Sequence, residues 1–423
     1  MPRAPRPARS AGFPPHDDAR LSRRDFLAVG AGTLGWLGLG CRSPRQEAGR
    51  FDDAFAAAPD APRSFPLLDV SGEPYAVGLA VGRRFADEIR RAIGRRREWF
   101  DALVRFAENE GKPAFEEMIR NGRERTPAAY EEARGTADGA GVPLREILAF
   151  NCRSELEAAQ KEPDARTGCS TIVVADPARI LVAHNEDGDM AYADSMYLVR
   201  VRPPSGVRFL ALCYPGIVPG NAPAINDRGV VMITNYIGTV AWRAGIPRYF
   251  LDRMALEAKS VEDAIRIATD PFRAYGFHHI LAEKRNGRLR AVSLEVTPDR
   301  SEIRDLSGVY IHTNHLILDS LREEPQESEY VGRSSKPRLE TLTADAAKFA
   351  DPSKITGDDL VRMLSSHAGR PFSPCRHPEG DIRGTTIACA VFDVGARRER
   401  LFRGNPCAGA STEYEAPTPS DVA

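Results

Sequence analysis

Cys169 is the residue of this chain best placed to do chemistry. It follows Gly168 in "RTGCSTIVV" and opens a run of β-branched residues. A thiol there has an ordinary reading as a small buried hydrophobe. It also has a chemical one. If the chain is cut between Gly168 and Cys169, Cys169 gains a free α-amine, whose ordinary pKa of about 7.7–8.0 lies near the thiol's value of about 8.5. Such an amine can accept the thiol proton near neutral pH, so no histidine is needed. The cut would be the same chemistry turned inward: the thiol attacks the Gly168 carbonyl, forms a thioester, and water releases it. Glycine before the nucleophile lets the backbone twist at low steric cost. Asp187, in "AHNEDGDM", is the partner this chemistry needs. A strand, a turn at Asp176-Pro177 and a return strand fit between the two residues. That hairpin brings Asp187 back beside Cys169, where it can orient the amine or thiol and stabilise an ammonium.

Competing chemistries fit less well. "NEDGD" could bind calcium, but it lacks EF-hand spacing and a glutamate at the twelfth position. His278 and His279 in "FHHI", with His312 and His315 in "HTNH", could serve a zinc hydrolase. On a strand, His312 and His315 would point to opposite faces, a poor fit to one metal. The local signature of Cys–His proteases is missing. The seven cysteines (Cys41, Cys152, Cys169, Cys213, Cys375, Cys389 and Cys407) show no paired CxxC spacing. We therefore expect no metal, no cofactor, at most one disulfide and at least one working thiol.

The elements that must position these residues begin after a long leader. "LSRRDFLAVGAGTLGWLGLGC" carries the pair Arg23 and Arg24, then a weakly apolar stretch too short to span a bilayer. It has the form of a twin-arginine export signal over 1–41, and Cys41 stands where a lipoprotein would be lipidated. A periplasmic or cell-envelope location follows as an expectation, with any membrane contact made through lipid on Cys41. Residues 42–71 read as linker and lead-in. Over 72–168 apolar residues recur at spacings of three and four, Val77, Ala80, Val81, Phe85, Ile89 and Ile93 among them, which predicts a helical segment. From 169 to 410 short β-branched runs alternate with helix blocks, including two strands around the Asn286-Gly287 turn. The pattern is α+β, two sheets with helices outside. The tail, 411–423, reads as frayed. The chain is 423 residues long and 42% hydrophobic, enough for a large core. Its 58 Lys and Arg against 59 Asp and Glu leave no electrostatic footprint for nucleic acid.

The ordered motifs "EILAFNCRSE", "GCSTIVV", "HNED", "PGIVPGNAPAINDRGVVMITNYI", "YIHTNH", "PCRHP" and "RGNPC" resemble the penicillin acyltransferase family, the acyl-coenzyme A:6-aminopenicillanate acyltransferase-like N-terminal nucleophile hydrolases. The resemblance spans roughly 70–410. It implies an αββα four-layer sandwich, autocatalytic cleavage between Gly168 and Cys169, and an α chain that stays bound to the β chain. It gives Asp187 the aspartate role and Asn235 the oxyanion hole. It has Asn314 hold the α-amine or the oxyanion, and Arg376 bind a substrate carboxylate or steady the site. The implied partner is a small-molecule amide or acyl substrate. Glu186 departs from the family pattern, in which an aromatic residue often stands there, and His184 has no assigned role. A reading of another class remains, a non-catalytic envelope binding lipoprotein on the same scaffold.

Overall fold

The computed structural model describes residues 64–161 and 168–418. Cys41, the export signal and most of the linker lie outside the described residues.

The expected helical segment forms seven helices, α1 (Pro74–Arg84), α2 (Ala86–Arg95), α3 (Arg97–Glu108), α4 (Lys112–Arg125), α5 (Pro127–Ala140), α6 (Leu144–Asn151) and α7 (Arg153–Gln160). Val77, Val81, Phe85, Ile89 and Ile93 are all buried, as their spacing requires. Helices α1 and α5 cross at unusually short range. A Cβ on Gly78 would stand 2.0 Å from the Glu132 carbonyl oxygen, and one on Gly135 would stand 2.1 Å from that of Tyr75. Only glycine permits that backbone approach.

The lead-in is not all linker, because Leu67–Ser71 forms a strand, β1. The strands after the helices are β2 (Gly168–Asp176), β3 (Arg179–Asp189), β4 (Tyr197–Arg202), β5 (Phe209–Cys213), β6 (Ala224–Asn226) and β7 (Val231–Tyr236). Helices α8 (Arg248–Ala255) and α9 (Val261–Ala268) then lead to β8 (Phe277–Arg285), β9 (Arg288–Val296), β10 (Ser301–Asp305) and β11 (Gly308–His312). Asn286 and Gly287, both with positive φ, turn β8 into β9. Helices α10 (Ser328–Tyr330), α11 (Lys336–Ala346) and α12 (Gly357–Leu364) precede β12 (Gly384–Asp393), β13 (Arg398–Arg403) and β14 (Ser411–Glu415). The tail is thus corrected: 411–415 pairs along β13 as an edge strand. Its Thr-x-Tyr alternation suits a half-covered strand.

Two sheets result. One has eight strands in the order β1-β4-β5-β6-β7-β8-β9-β10, the other six in the order β11-β2-β3-β12-β13-β14. Strand β1 runs parallel to β4 and so ties the N-terminal segment into the larger sheet. The sheets face one another, with Thr171 of β2 bonded to Asn235 of β7 and Ser293 of β9 bonded to Tyr310 of β11. Outside the smaller sheet, Ile172, Val174, Leu181 and Ala183 pack on Leu342 of α11 and on Leu360 and Leu364 of α12. The helices before β2, with α8 and α9, share the main core with the larger sheet. The layering is αββα, as expected.

Candidate active site

Cys169 sits at the open end of the β2–β3 hairpin, whose register pairs Gly168 with Asp187, Cys169 with Glu186 and Thr171 with His184. The expected return of Asp187 to the start of β2 is what the backbone does. The thiol is buried, with Sγ 3.8 Å from Glu186 Oε1. Its main-chain N–H donates to Asn314 Oδ1 at 2.8 Å, and its carbonyl accepts from Arg338 Nη1 at 2.5 Å. Asn314 therefore stands at the nitrogen that would become the α-amine. Its amide nitrogen is spent on the Tyr236 carbonyl at 2.9 Å.

Asp187 and Arg376 are both fully buried. Asp187 Oδ1 accepts from Thr386 Oγ1 at 2.6 Å, and its Oδ2 lies 3.6 Å from Arg376 Nε. Arg376 Nη2 donates to Ser334 Oγ at 2.8 Å. A Cβ on Gly168 would lie 3.0 Å from Arg376 Nη2 and 3.1 Å from the Tyr330 hydroxyl. Arginine and tyrosine thus rest directly on the α-carbon of the residue before Cys169. Burial, then the Glu186 and Asp187 carboxylates, push the Cys169 thiol well above its ordinary range, with Arg338 pulling the other way. Burial likewise raises the Asp187 carboxyl, against the pull of Arg376 and Arg338.

Asn235 is fully buried between the sheets. Strand β7 turns Thr234 and Tyr236 toward the cavity beside Cys169, while Asn235, on the alternate face, is not among its lining residues. Its Oδ1 accepts from Thr171 Oγ1 at 3.0 Å and meets His278 Nδ1 at 2.9 Å. It bonds the two sheets together, and its buried Nδ2 has no hydrogen-bond partner among the described residues.

Several residues carry weight that sequence reasoning did not give them. Arg338 is fully buried and links Cys169 O, Ser170 Oγ at 2.9 Å and Asn314 Oδ1 at 2.6 Å. It follows Ser334 by one helical turn, and the π turn Val331–Ser335 before α11 aims Ser334 and Ser335 at the same place. The only sequence signal was an arginine among small residues in "RSSKPRLE". His184 now has partners, Thr171 Oγ1 at 2.8 Å and Glu186 Oε2 at 3.1 Å. Thr171 gives its own proton to Asn235, so His184 Nδ1–H must donate to Thr171. One proton therefore lies between His184 Nε2 and Glu186 Oε2. Tyr214 donates to Glu186 Oε1 at 2.6 Å. The polar wall expected from Glu186 is a buried network of His184, Thr171 and Tyr214.

The cavity beside Cys169 is small, about 30 Å³. Arg153, Ser154 and Glu157 of α7 line it, with Tyr214, Arg248 and Tyr249. Helices N-terminal to the candidate cut thus build one wall of the site. The histidines of the competing zinc reading have other partners. His278 and His312 stack at 3.4 Å between ring centres, while His279 binds Asp252 at 2.8 Å from the other face of β8.

Residues 174–408 match the model of the family described as acyl-coenzyme A:6-aminopenicillanic acid acyl-transferase. The chain belongs to that family. The matched span begins just after Cys169 and contains Asp187, Asn314, Arg338 and Arg376. The beta-alanyl-dopamine/carcinine hydrolase of Drosophila melanogaster is 26% identical, over 81% of this chain and 94% of that protein. The acyl-coenzyme A:6-aminopenicillanic-acid-acyltransferase 40 kDa form of Emericella nidulans is 26% identical, over 79% of this chain and 91% of that one. A conjugated bile acid hydrolase structure from Clostridium perfringens aligns at a TM-score of 0.35 and 10% identity, over 59% of this chain and 97% of that one. That likeness is too slight to carry weight. Family and relatives make the chain an enzyme of the amide-hydrolysing and acyl-transferring kind.

Proposed function

We propose that the chain is a cysteine N-terminal nucleophile enzyme that activates itself by cutting before Cys169 and then hydrolyses a non-peptide amide through a Cys169 thioester. The observation that supports this most is the clasp on the Gly168–Cys169 bond. Arg376 and Tyr330 lie on Gly168, Asn314 and Arg338 hold Cys169 at its nitrogen and carbonyl, and Asp187 pairs across from Gly168.

In the uncut chain no α-amine exists. Glu186 Oε1, 3.8 Å from Sγ, is then the carboxylate in reach of the thiol proton. Sγ attacks the Gly168 carbonyl carbon, the C–N bond to Cys169 breaks, and the acyl group moves to sulfur as a thioester. The nitrogen takes a proton and stays against Asn314 Oδ1. Water then cleaves the thioester, leaving a Gly168 carboxylate and a free thiol. Arg376 supplies positive charge beside the carbon where negative oxygen develops. With substrate the same steps repeat on an external amide, and the new α-amine replaces Glu186 as proton acceptor.

Two features refine the substrate. Arg153 Nη1 and Arg248 Nε, both in side chains lining the cavity, have no hydrogen-bond partner among the described residues. They favour an amide that carries a carboxylate. The twin-arginine pattern supports an enzyme working outside the cytoplasm, where acyl-coenzyme A is absent, so hydrolysis is preferred over transfer. The test is turnover of paired N-acyl substrates, with and without a carboxylate, against acyl-coenzyme A donors. The reading requires amide turnover that favours the carboxylated member and disappears in Cys169→Ala. Strong preference for acyl-coenzyme A would overturn the hydrolytic assignment, and an inert, uncut chain would favour a binding protein.

A further inference from the structure

A second cluster of reactive side chains lies behind Arg376, away from the Cys169 cavity. It draws on three segments distant in sequence: His367 after α12, Cys375 and His377 in the loop before β12, and Cys407 in the short turn after β13. Their donor atoms all lie within 4.8 Å of one another. Around His377 Nε2 the separations are 3.6 Å to Cys375 Sγ, 3.4 Å to Cys407 Sγ and 3.1 Å to His367 Nε2. A tetrahedral zinc ion with bonds of about 2.3 Å to sulfur and about 2.0–2.1 Å to nitrogen spaces its donors at about 3.3–3.8 Å. Two thiols and two imidazoles are also the donor set that a closed structural zinc site uses. None of the six described cysteines is in a disulfide.

The surroundings are built to match. Asn405 Nδ2 stands 3.5 Å from Cys375 Sγ and donates to the Arg376 carbonyl at 2.6 Å, the kind of outer support that orients metal ligands. Arg376 sits between two members of the cluster in the chain. Cys375 and His377 point to one side, while the Arg376 guanidinium points to the other and reaches Ser334 and Asp187.

We propose that His367, Cys375, His377 and Cys407 bind one zinc ion per chain and that this ion holds Arg376 in place over Gly168. Binding displaces the proton of each thiol and leaves the imidazoles neutral. The ion takes no part in the reaction and acts through the backbone of 375–377. The claim about Arg376 rests on the cleavage reading above, whereas the metal content does not, so the two can fail separately.

The test is metal analysis of the full chain purified from zinc-supplemented medium, beside Cys407→Ser, His367→Ala and Cys169→Ala. The expected result is about one zinc in the parent and in Cys169→Ala, and roughly ten-fold less or lower in the other two. Cobalt substituted into the parent should give the visible bands of a tetrahedral site with a thiolate charge-transfer band. Should the ligand variants fail to fold, the parent alone decides, because Cys407 should resist alkylation until a chelator is added. A reduced parent that takes up neither zinc nor cobalt overturns the proposal, as does a metal-free native chain with Cys375 and Cys407 oxidised together. Zinc retained in Cys407→Ser but lost in Cys169→Ala would assign the metal to Cys169, His184 and Glu186 and overturn it as well. The role given to Arg376 fails if chelated parent and zinc-loaded parent cleave themselves at the same rate.

Discussion

The two faces of the β2–β3 hairpin make opposite use of adjacent residues. On the outer face Ile172, Val174, Leu181 and Ala183 are apolar and packed on α11 and α12. On the inner face, near the open end, stand Cys169, Thr171, His184 and Glu186, all buried and joined by hydrogen bonds. Because side chains alternate along a strand, one hairpin both anchors a layer of the sandwich and carries the reactive thiol. The outer face is fixed by area and volume. The inner face depends on every donor finding its acceptor, since an unpaired polar group there costs far more than at a wet surface.

That contrast sets the size and kind of effect each substitution should have. The largest belongs to Arg338→Met. It strips Cys169 O, Ser170 and Asn314 of a shared donor, and self-cleavage of the purified chain should slow by roughly 10³-fold with the fold retained by circular dichroism. Glu186→Gln should slow cleavage at neutral pH by roughly 10²-fold. It also carries a signed pH effect. Burial and nearby carboxylates raise the Cys169 thiol, so the parent's cleavage rate should climb with pH through the neutral range. Removing the Glu186 charge lowers the thiol pKa and should move that rise to lower pH, measured by fragment appearance across buffers. On the outer face, Ile172→Ala should cost about 2–4 kcal/mol in denaturant unfolding while leaving the position of the cut unchanged. A cleavage defect as large as that of Arg338→Met would erase the distinction between the faces. The smallest effect is expected of Gly168→Ala. Its methyl group meets Arg376 and Tyr330 at 3.0–3.1 Å, tight enough to slow cleavage by roughly ten-fold with little change in stability.

The legible part of the sequence was the part governed by periodicity. Helical spacing gave the segment from α1 to α7, β-branched runs gave the hairpins, and Asn286-Gly287 marked its own turn. The return of Asp187 to the start of β2 followed from the same hairpin logic. The strand β14 was harder to see, because an edge strand buries little and its composition resembles a tail. The surroundings of Asn235 were hidden for a different reason. Its position in β7 was correct, but which face of β7 looks into the cavity depends on register across two sheets, which the local pattern does not contain. Arg338 and the His184–Glu186 pair were hidden because a buried charged residue is identified by partners far away in the chain. The His367, Cys375, His377 and Cys407 cluster has the same character. Its one local trace, a cysteine and a histidine flanking Arg376, could be read only after three segments had been brought together.

The most direct test of the account is the intact mass of the purified protein beside that of Cys169→Ala. The account predicts two fragments from the parent, the second beginning at Cys169, and a single uncut chain from the variant. One uncut chain from both would contradict it. The α-amine would then never form, and Cys169 would be a buried thiol at the start of a structural strand.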